Sequence, residues 1–111
     1  MSEASGQIVA FSMCDSAESA HRIARRLVEA RVAACVNIIP GATSIYRWQG
    51  AVEEAAEWML LIKTRRDRFD ALRAELVAAH GYEVPELIAV DIVDGFRDYL
   101  DWIDGESGLN S

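Results

Sequence analysis

The stretch AACVNIIPGATSIYRWQG, Ala33 to Gly50, is where the chain changes its hydrophobic period. Upstream of it Ala20, Ile23, Ala24, Leu27 and Val28 recur three and four apart, the spacing of one helix face. From Ala33 the pattern is that of a strand, carried by Val36, Ile38 and Ile39 and then by Ile45, Tyr46 and Trp48. Pro40-Gly41 interrupts it. Proline cannot donate to a ladder and glycine invites a bulge, so a bend or an edge position is predicted there. Gln49-Gly50 supplies a turn, and Glu57 to Thr64 is the next strand, with Met59, Leu60, Leu61 and Ile62 at its centre.

The flanks complete the order of elements. Gln7 to Cys14 reads as a buried strand, followed by a capping box, Asp15-x-x-Glu18, in which Asp15 accepts from the Glu18 amide. The first helix carries His21, Arg22, Arg25, Arg26 and Glu29 on its outer face. Beyond the hairpin, Asp67 is expected to cap a second helix with Phe69, Leu72, Leu76 and Val77 inward. Gly81 is placed to end that helix in the left-handed conformation, and Pro85 stops any continuation. Leu87 to Val93 is the last strand, and Asp94 caps a third helix with Phe96, Tyr99, Leu100 and Ile103 inward. The fold class is α+β: a ferredoxin-like βαββαβ unit with an additional C-terminal helix, helices covering one face of a four-stranded sheet. Met59 to Ile62 is apolar on both alternations, so the second sheet face also needs a cover, and oligomerisation is expected.

Composition sets the outer limits. A length of 111 residues suits one domain, taken as 7–105 between flexible ends at 1–6 and 106–111. At 51% hydrophobic and 26% charged, the chain has ample apolar content for one core. No apolar run reaches the ~18 residues of a membrane span, and Met1 to Gly6 lacks the layout of a secretory signal, so a cytoplasmic location is expected. The net charge of −7 and the interruption of Arg65, Arg66 and Arg68 by Asp67 argue against nucleic acid as a partner. Two cysteines, Cys14 and Cys35, form no C-x-x-C pair and are read as reduced thiols. Cys35, between Ala34 and Val36, is expected to be inert and buried, which leaves Cys14 as the thiol open to labelling.

Several segments together resemble the CutA divalent-cation tolerance family. They are Leu27 to Gly41, Thr43 to Gly50, Leu61-Ile62-Lys63-Thr64, His80-Gly81-Tyr82-Glu83-Val84-Pro85-Glu86 and Tyr99-Leu100-Asp101-Trp102-Ile103. The resemblance runs from about Ile8 to Ile103. It implies a ferredoxin-like subunit, a homotrimer of the architecture of PII signalling proteins, and a link to copper and other divalent cations. Tyr46 and Trp48 are then trimer packing. No cofactor is required, and copper(II) or another divalent cation is the ion the resemblance admits. Two positions depart from the family pattern. Met13-Cys14-Asp15 stands where Thr-x-Pro is usual, and His80-Gly81-Tyr82 where His-Pro-Tyr is usual. The cysteine proposed as a copper ligand in some members aligns with Ser12.

Topology brings three candidate metal ligands to one edge of the sheet. With the first strand running up, Cys14 ends it at the top, His80 ends the second helix at the top, and Glu86 begins the last strand there. Thiolate, imidazole and carboxylate together suit copper or zinc. Each residue has a plainer reading. His80 can interact favourably with a helix dipole, Cys14 can be a small core residue, and Glu86 a solvated strand start. Glu53, Glu54 and Glu57 are read as a solvated stretch. Three functions follow: a cation-tolerance homotrimer binding divalent metal; a PII-like signalling or scaffold trimer with a ligand or partner in its inter-subunit clefts; and an enzyme using a Cys14–His80 pair. The last lacks a third orienting group and an oxyanion motif, so the chain is read as not an enzyme.

Overall fold

The structure, a computed structural model, describes residues 5 to 108. The expected flexible ends fall largely outside that range. Inside it Ser5 and Gly6 are bonded to Ile92 and Arg66 through the backbone, and the last helix runs on past Gly105 to Ser107, which is buried. The last helix thus extends two residues beyond the expected boundary at 105.

The elements are β1 (Gln7–Cys14), α1 (Ala17–Glu29), β2 (Cys35–Trp48), β3 (Ala51–Arg65), a 3-10 turn (Arg66–Arg68), α2 (Phe69–Ala79), β4 (Ile88–Asp91) and α3 (Arg97–Ser107). The sheet order is β2-β3-β1-β4 and all three pairings are antiparallel, which is the ferredoxin-like arrangement. On β1 the residues Ile8, Ala10, Ser12 and Cys14 are all buried, because α1 and α2 cover that face. Leu60 and Ile62 of β3 point the same way and pack with Ile23, Leu27, Leu72 and Leu76. The opposite face is covered at one end only. There Leu100 and Ile103 of α3 pack with Ala34 and Ile92, Gln7 Nε2 donates to Asp104 Oδ1 at 2.8 Å, and Lys63 lies over the Tyr99 ring. The rest of that face shows Val9, Phe11, Met13, Met59, Leu61, Ile88 and Val90, half-buried or exposed.

Pro40-Gly41 does what its chemistry predicts. β2 is an edge strand with a register break between Ile39 and Ala42, and Gly41 has φ +87°. Past the break the β2–β3 ladder continues to Trp48↔Ala51, whereas β1 pairs with β3 only as far as Cys14↔Trp58. Residues 42–57 thus form a two-stranded arm beyond the sheet, with Ile45, Tyr46, Trp48 and Val52 exposed. β3 is longer than the expected Glu57–Thr64 because residues 51–56 pair with the arm's other strand. Gln49 and Gly50, both at positive φ, make the two-residue turn whose twist matches the strands.

The caps differ from expectation by a residue or more. Ser16, not Asp15, caps α1 and accepts from the Ser19 amide at 3.0 Å; Asp15 instead accepts from the Ser19 hydroxyl. Asp67 is spent on Arg65, so α2 begins without a side-chain cap. Gly81 does not take the left-handed conformation, and His80 is the C-cap, in an extended conformation. β4 is shorter than expected, Asp94 bonds the Gly95 amide instead of capping α3, and Phe96 is exposed. Val28 and Val77 also face outward, on the flanks of their helices.

The end of α1 is a surprise of another kind. Val32 N–H bonds Leu27 O and Arg31 N–H bonds Val28 O, the double bond of a Schellman motif. Its left-handed residue is Arg31, φ 61°, where glycine is usual. The arginine is held there from both directions. Its guanidinium donates to the carbonyls of Gly105 (3.0 Å) and Gly108 (3.3 Å), and its own carbonyl accepts from Arg68.

The arm's turn sets a test. Gly50→Val should destabilise the chain by about 1 kcal/mol or more, because valine resists positive φ. Gln49→Asn should be neutral or stabilise by a few tenths of a kcal/mol, roughly, since asparagine tolerates that region. Urea melts at one fixed protein concentration read both.

Candidate functional site

The end of β1 where Cys14 emerges brings buried Cys14 and Glu57 together with half-buried His80 and Tyr82. α1 begins two residues later and brings Ser19 and Arg22; α2 ends there and brings Ala79 and His80; the irregular segment 81–87 crosses to β4. Arg22 Nη1 donates to Ala79 O at 3.0 Å, closing the carbonyl end of α2 with a cation from α1.

His80 is held at both ring nitrogens. Its Nδ1 lies 3.1 Å from the Tyr82 amide, which can only donate, so Nδ1 accepts and carries no proton. The proton of the neutral ring is then on Nε2, which donates to Met13 O at 2.7 Å. The ring also lies 4.6 Å from the Tyr82 ring, centroid to centroid. Tyr82 in turn donates its hydroxyl to Glu57 Oε2 at 2.6 Å. Glu57 is buried, which corrects its reading as part of a solvated stretch; Glu53 and Glu54 are exposed on the arm as expected. Burial, the hydrogen bond to Glu57 and the nearby negative charge of Glu57 and Asp15 all push the Tyr82 hydroxyl's pKa up.

Cys14 is fully buried, and Cys35 is the partly exposed thiol, so the expected labelling order is reversed. The alternation explains this: Cys14 points to the helices, while Cys35 pairs with Lys63 on the other face. Burial, then the carboxylates of Asp15 and Glu57, push the Cys14 thiol up from 9.0 to about 11; Arg22 and the Ser19 hydroxyl oppose this weakly.

Among the described residues the three candidate ligands are not brought together as one set in the folded subunit. Cys14 and His80 are neighbours, since His80 bonds the residue before Cys14. The Cys14 thiol keeps its proton at neutral pH, and the one lone pair of His80 is taken by the Tyr82 amide. Glu86 is exposed, two residues before β4, with no hydrogen bond or ion pair to either among the described residues. Among the described residues no group of three or more His, Cys, Asp or Glu is placed to hold a metal ion. The donor set does not fit a copper or zinc ion. Ser12, the position of the family's copper cysteine, is buried in the core with its hydroxyl unpartnered, which is equally closed to an ion. The carboxylate that does join the cluster is Glu57. Glu57 and Tyr82 were legible only as oddities: an acid directly before an apolar run, and a tyrosine among helix breakers.

A four-stranded antiparallel sheet with two helices on one face, a third at the end of the other and a projecting hairpin arm defines a small ferredoxin-like subunit with a polar cluster at the end of its first strand. Residues 8–106 match the family model described as CutA1 divalent ion tolerance protein. A divalent-cation tolerance protein CutA of Thermus thermophilus is 53% identical over 93 residues, 84% of this chain and 90% of that one. The chloroplastic CutA 1 of Oryza sativa is 43% identical over 96 residues, 86% of this chain, and the chain spans only 54% of that relative's length. The crystal structure of CutA from Xylella fastidiosa superposes with a TM-score of 0.91 at 45% identity, over 94% of this chain and all of that one. The chain belongs to the CutA1 divalent ion tolerance family, which is named for tolerance and not for a reaction.

The buried thiol gives two measurable consequences. At pH 8 a thiol of pKa about 11 is ionised to roughly one part in a thousand, against roughly one in ten for an ordinary thiol. Iodoacetamide should modify Cys14 at least ~100-fold more slowly in the native than in the urea-unfolded chain; equal rates would put the thiol at the surface. Because the folded-state value is the higher one, the thiol's contribution to stability is full below pH 9.0 and is lost as pH rises through about 11. Cys14→Ala should flatten that alkaline loss in urea melts.

Proposed function

We propose that the chain is one subunit of a homotrimer that takes part in tolerance of divalent cations. Copper or another divalent ion is then bound weakly by the assembly, and not by Cys14, His80 and Glu86 of one subunit. The observation that carries this is the sheet face left open beside α3, where Val9, Phe11, Met13, Met59, Leu61, Ile88 and Val90 present a contiguous apolar surface. A surface of that kind marks an interaction site.

Two further features support a ring in place of a two-fold dimer. The arm extends from the β2 edge, and the open edge of β4 lies on the opposite side of the sheet. A contact between unlike edges of successive copies is head-to-tail, and such contacts form a ring when the rotation between copies closes. The resemblance to PII architecture sets the ring at three. The two free cysteines suit a reducing compartment such as the cytoplasm.

Light scattering at micromolar concentration should report about three times the chain mass, and a stable monomer would overturn the proposal. Leu61→Glu places a charge on the open face, away from the α1–α2 core, and should shift the mass toward monomer. In copper titrations, Cys14→Ser and His80→Ala should bind as the parent does; loss of binding in either would restore that residue as a ligand.

A further inference from the structure

Where α3 meets the open sheet face, one patch is polar. Cys35 of β2 stands directly opposite Lys63 of β3, and Asn37 opposite Leu61, so all of them project from the face that α1 and α2 leave uncovered. Lys63 is the chain's one lysine, and it is half-buried. Its Nζ donates to Asn37 Oδ1 at 2.7 Å and lies 5.9 Å from the centroid of the Tyr99 ring. Tyr99 in turn stacks on Trp102, centroids 5.5 Å apart, and both rings are exposed. Arg25, Arg26, Arg65, Arg66 and Arg73 each meet a carboxylate; among the described residues none lies within ion-pair reach of Lys63. In a chain of net charge −7 this ammonium is held by a neutral oxygen and a ring face, beside an apolar surface. Part of its desolvation cost is therefore left without a compensating charge.

We infer that Lys63, Asn37 and the Tyr99–Trp102 stack form a binding site for a small planar carboxylate. An ammonium has three donors, and only one is spent on Asn37. Asn37 turns its oxygen to that ammonium and, at 3.9 Å, to the Cys35 thiol, which leaves both amide N–H donors without a partner among the described residues. Lysine and amide donors side by side match the two oxygens of a carboxylate, one of them through a charge-assisted bond. The adjoining aromatic stack offers a flat apolar wall for the body of the ligand. A phosphate dianion fits less well, because the site holds one cation and no guanidinium fork, and the chain as a whole repels added negative charge. Every residue of the site belongs to one subunit, so it does not rest on the proposed trimer. Cys35 takes no chemical part; opposite Lys63, it is a reporter at the edge of the site.

The test uses the full chain carrying isotope-labelled lysine, in which Lys63 gives a single side-chain methylene signal next to the ammonium. Benzoate is the probe, with acetate, phosphate and chloride as comparators at equal ionic strength. Benzoate should shift the signal saturably at roughly millimolar concentration, the range of a small ligand in an open site. Acetate should bind at least about threefold more weakly, for want of the aromatic contact. Tyr99→Leu keeps an apolar side chain at that position of α3 and should erase the preference for benzoate, while Asn37→Ala should weaken both carboxylates. Benzoate should also slow iodoacetamide labelling of Cys35 in the parent and leave it unchanged in Lys63→Met, a readout that needs no lysine. A shift that chloride reproduces, or equal binding in Asn37→Ala and Tyr99→Leu, would overturn the site. So would a lysine signal that ignores benzoate but moves in Glu53→Gln or Glu54→Gln, since a carboxylate from the arm of a second copy would then hold the ammonium. Light scattering on the same samples separates the two readings: lost benzoate binding at trimer mass overturns the site alone, and monomer mass with binding intact overturns the assembly alone.

Discussion

Four successive apolar residues in an interior strand cannot all face one way. Met59, Leu60, Leu61 and Ile62 lie in β3, between β1 and β2, and the pleat sends Leu60 and Ile62 to one side and Met59 and Leu61 to the other. Burying each of the first two contributes roughly 1.5–3 kcal/mol, and α1 and α2 exist largely to provide that cover. α3, a single helix lying toward one end, does not do the same for the second pair. The remaining apolar face, the projecting arm and the open edge of β4 are all consequences of one chain supplying one and a half covers for a sheet with two apolar sides.

At the end of β1 the governing rule is that a lone pair serves one partner. An imidazole between an amide N–H and a carbonyl has its tautomer assigned and its acceptor spent. A thiol buried in the core that α1 and α2 form on the sheet, beside the carboxylates of Asp15 and Glu57, keeps its proton. Residues with the right chemistry for a soft metal are thus consumed by the fold. The same bonds that close the site to an ion hold the crossing from α2 to β4 in place.

The fold was readable because its signals were periodic and redundant. The helical spacing through Leu27, the strand run through Ile39 and the Pro40-Gly41 interruption each pointed to one arrangement, and the strand order follows from the connection of elements. Caps were less readable, because Asp15, Asp67 and Asp94 each found a different partner nearby, and a cap is decided by a single competing hydrogen bond. The site was half readable. Topology correctly put Cys14 and His80 side by side, but it is silent on which way a side chain points. The twofold alternation turned Cys14 inward, and a contact 25 residues apart in sequence, Tyr82 to Glu57, leaves no local pattern to find.

Arg31 adds an aspect of time. The residue occupies a backbone conformation that a residue bearing a Cβ tolerates poorly, and the bonds that offset this cost reach residues 74 and 77 positions later in the chain. Until Gly105 and Gly108 have been synthesised and α3 has docked, α1 ends in a strained turn with an unsupported guanidinium. Contacts of such long separation close late, because the loop entropy is lost before the contact rewards it. The final helix is in this sense the keystone of the first one, and a ribosome must finish nearly the whole chain before the turn after α1 can settle.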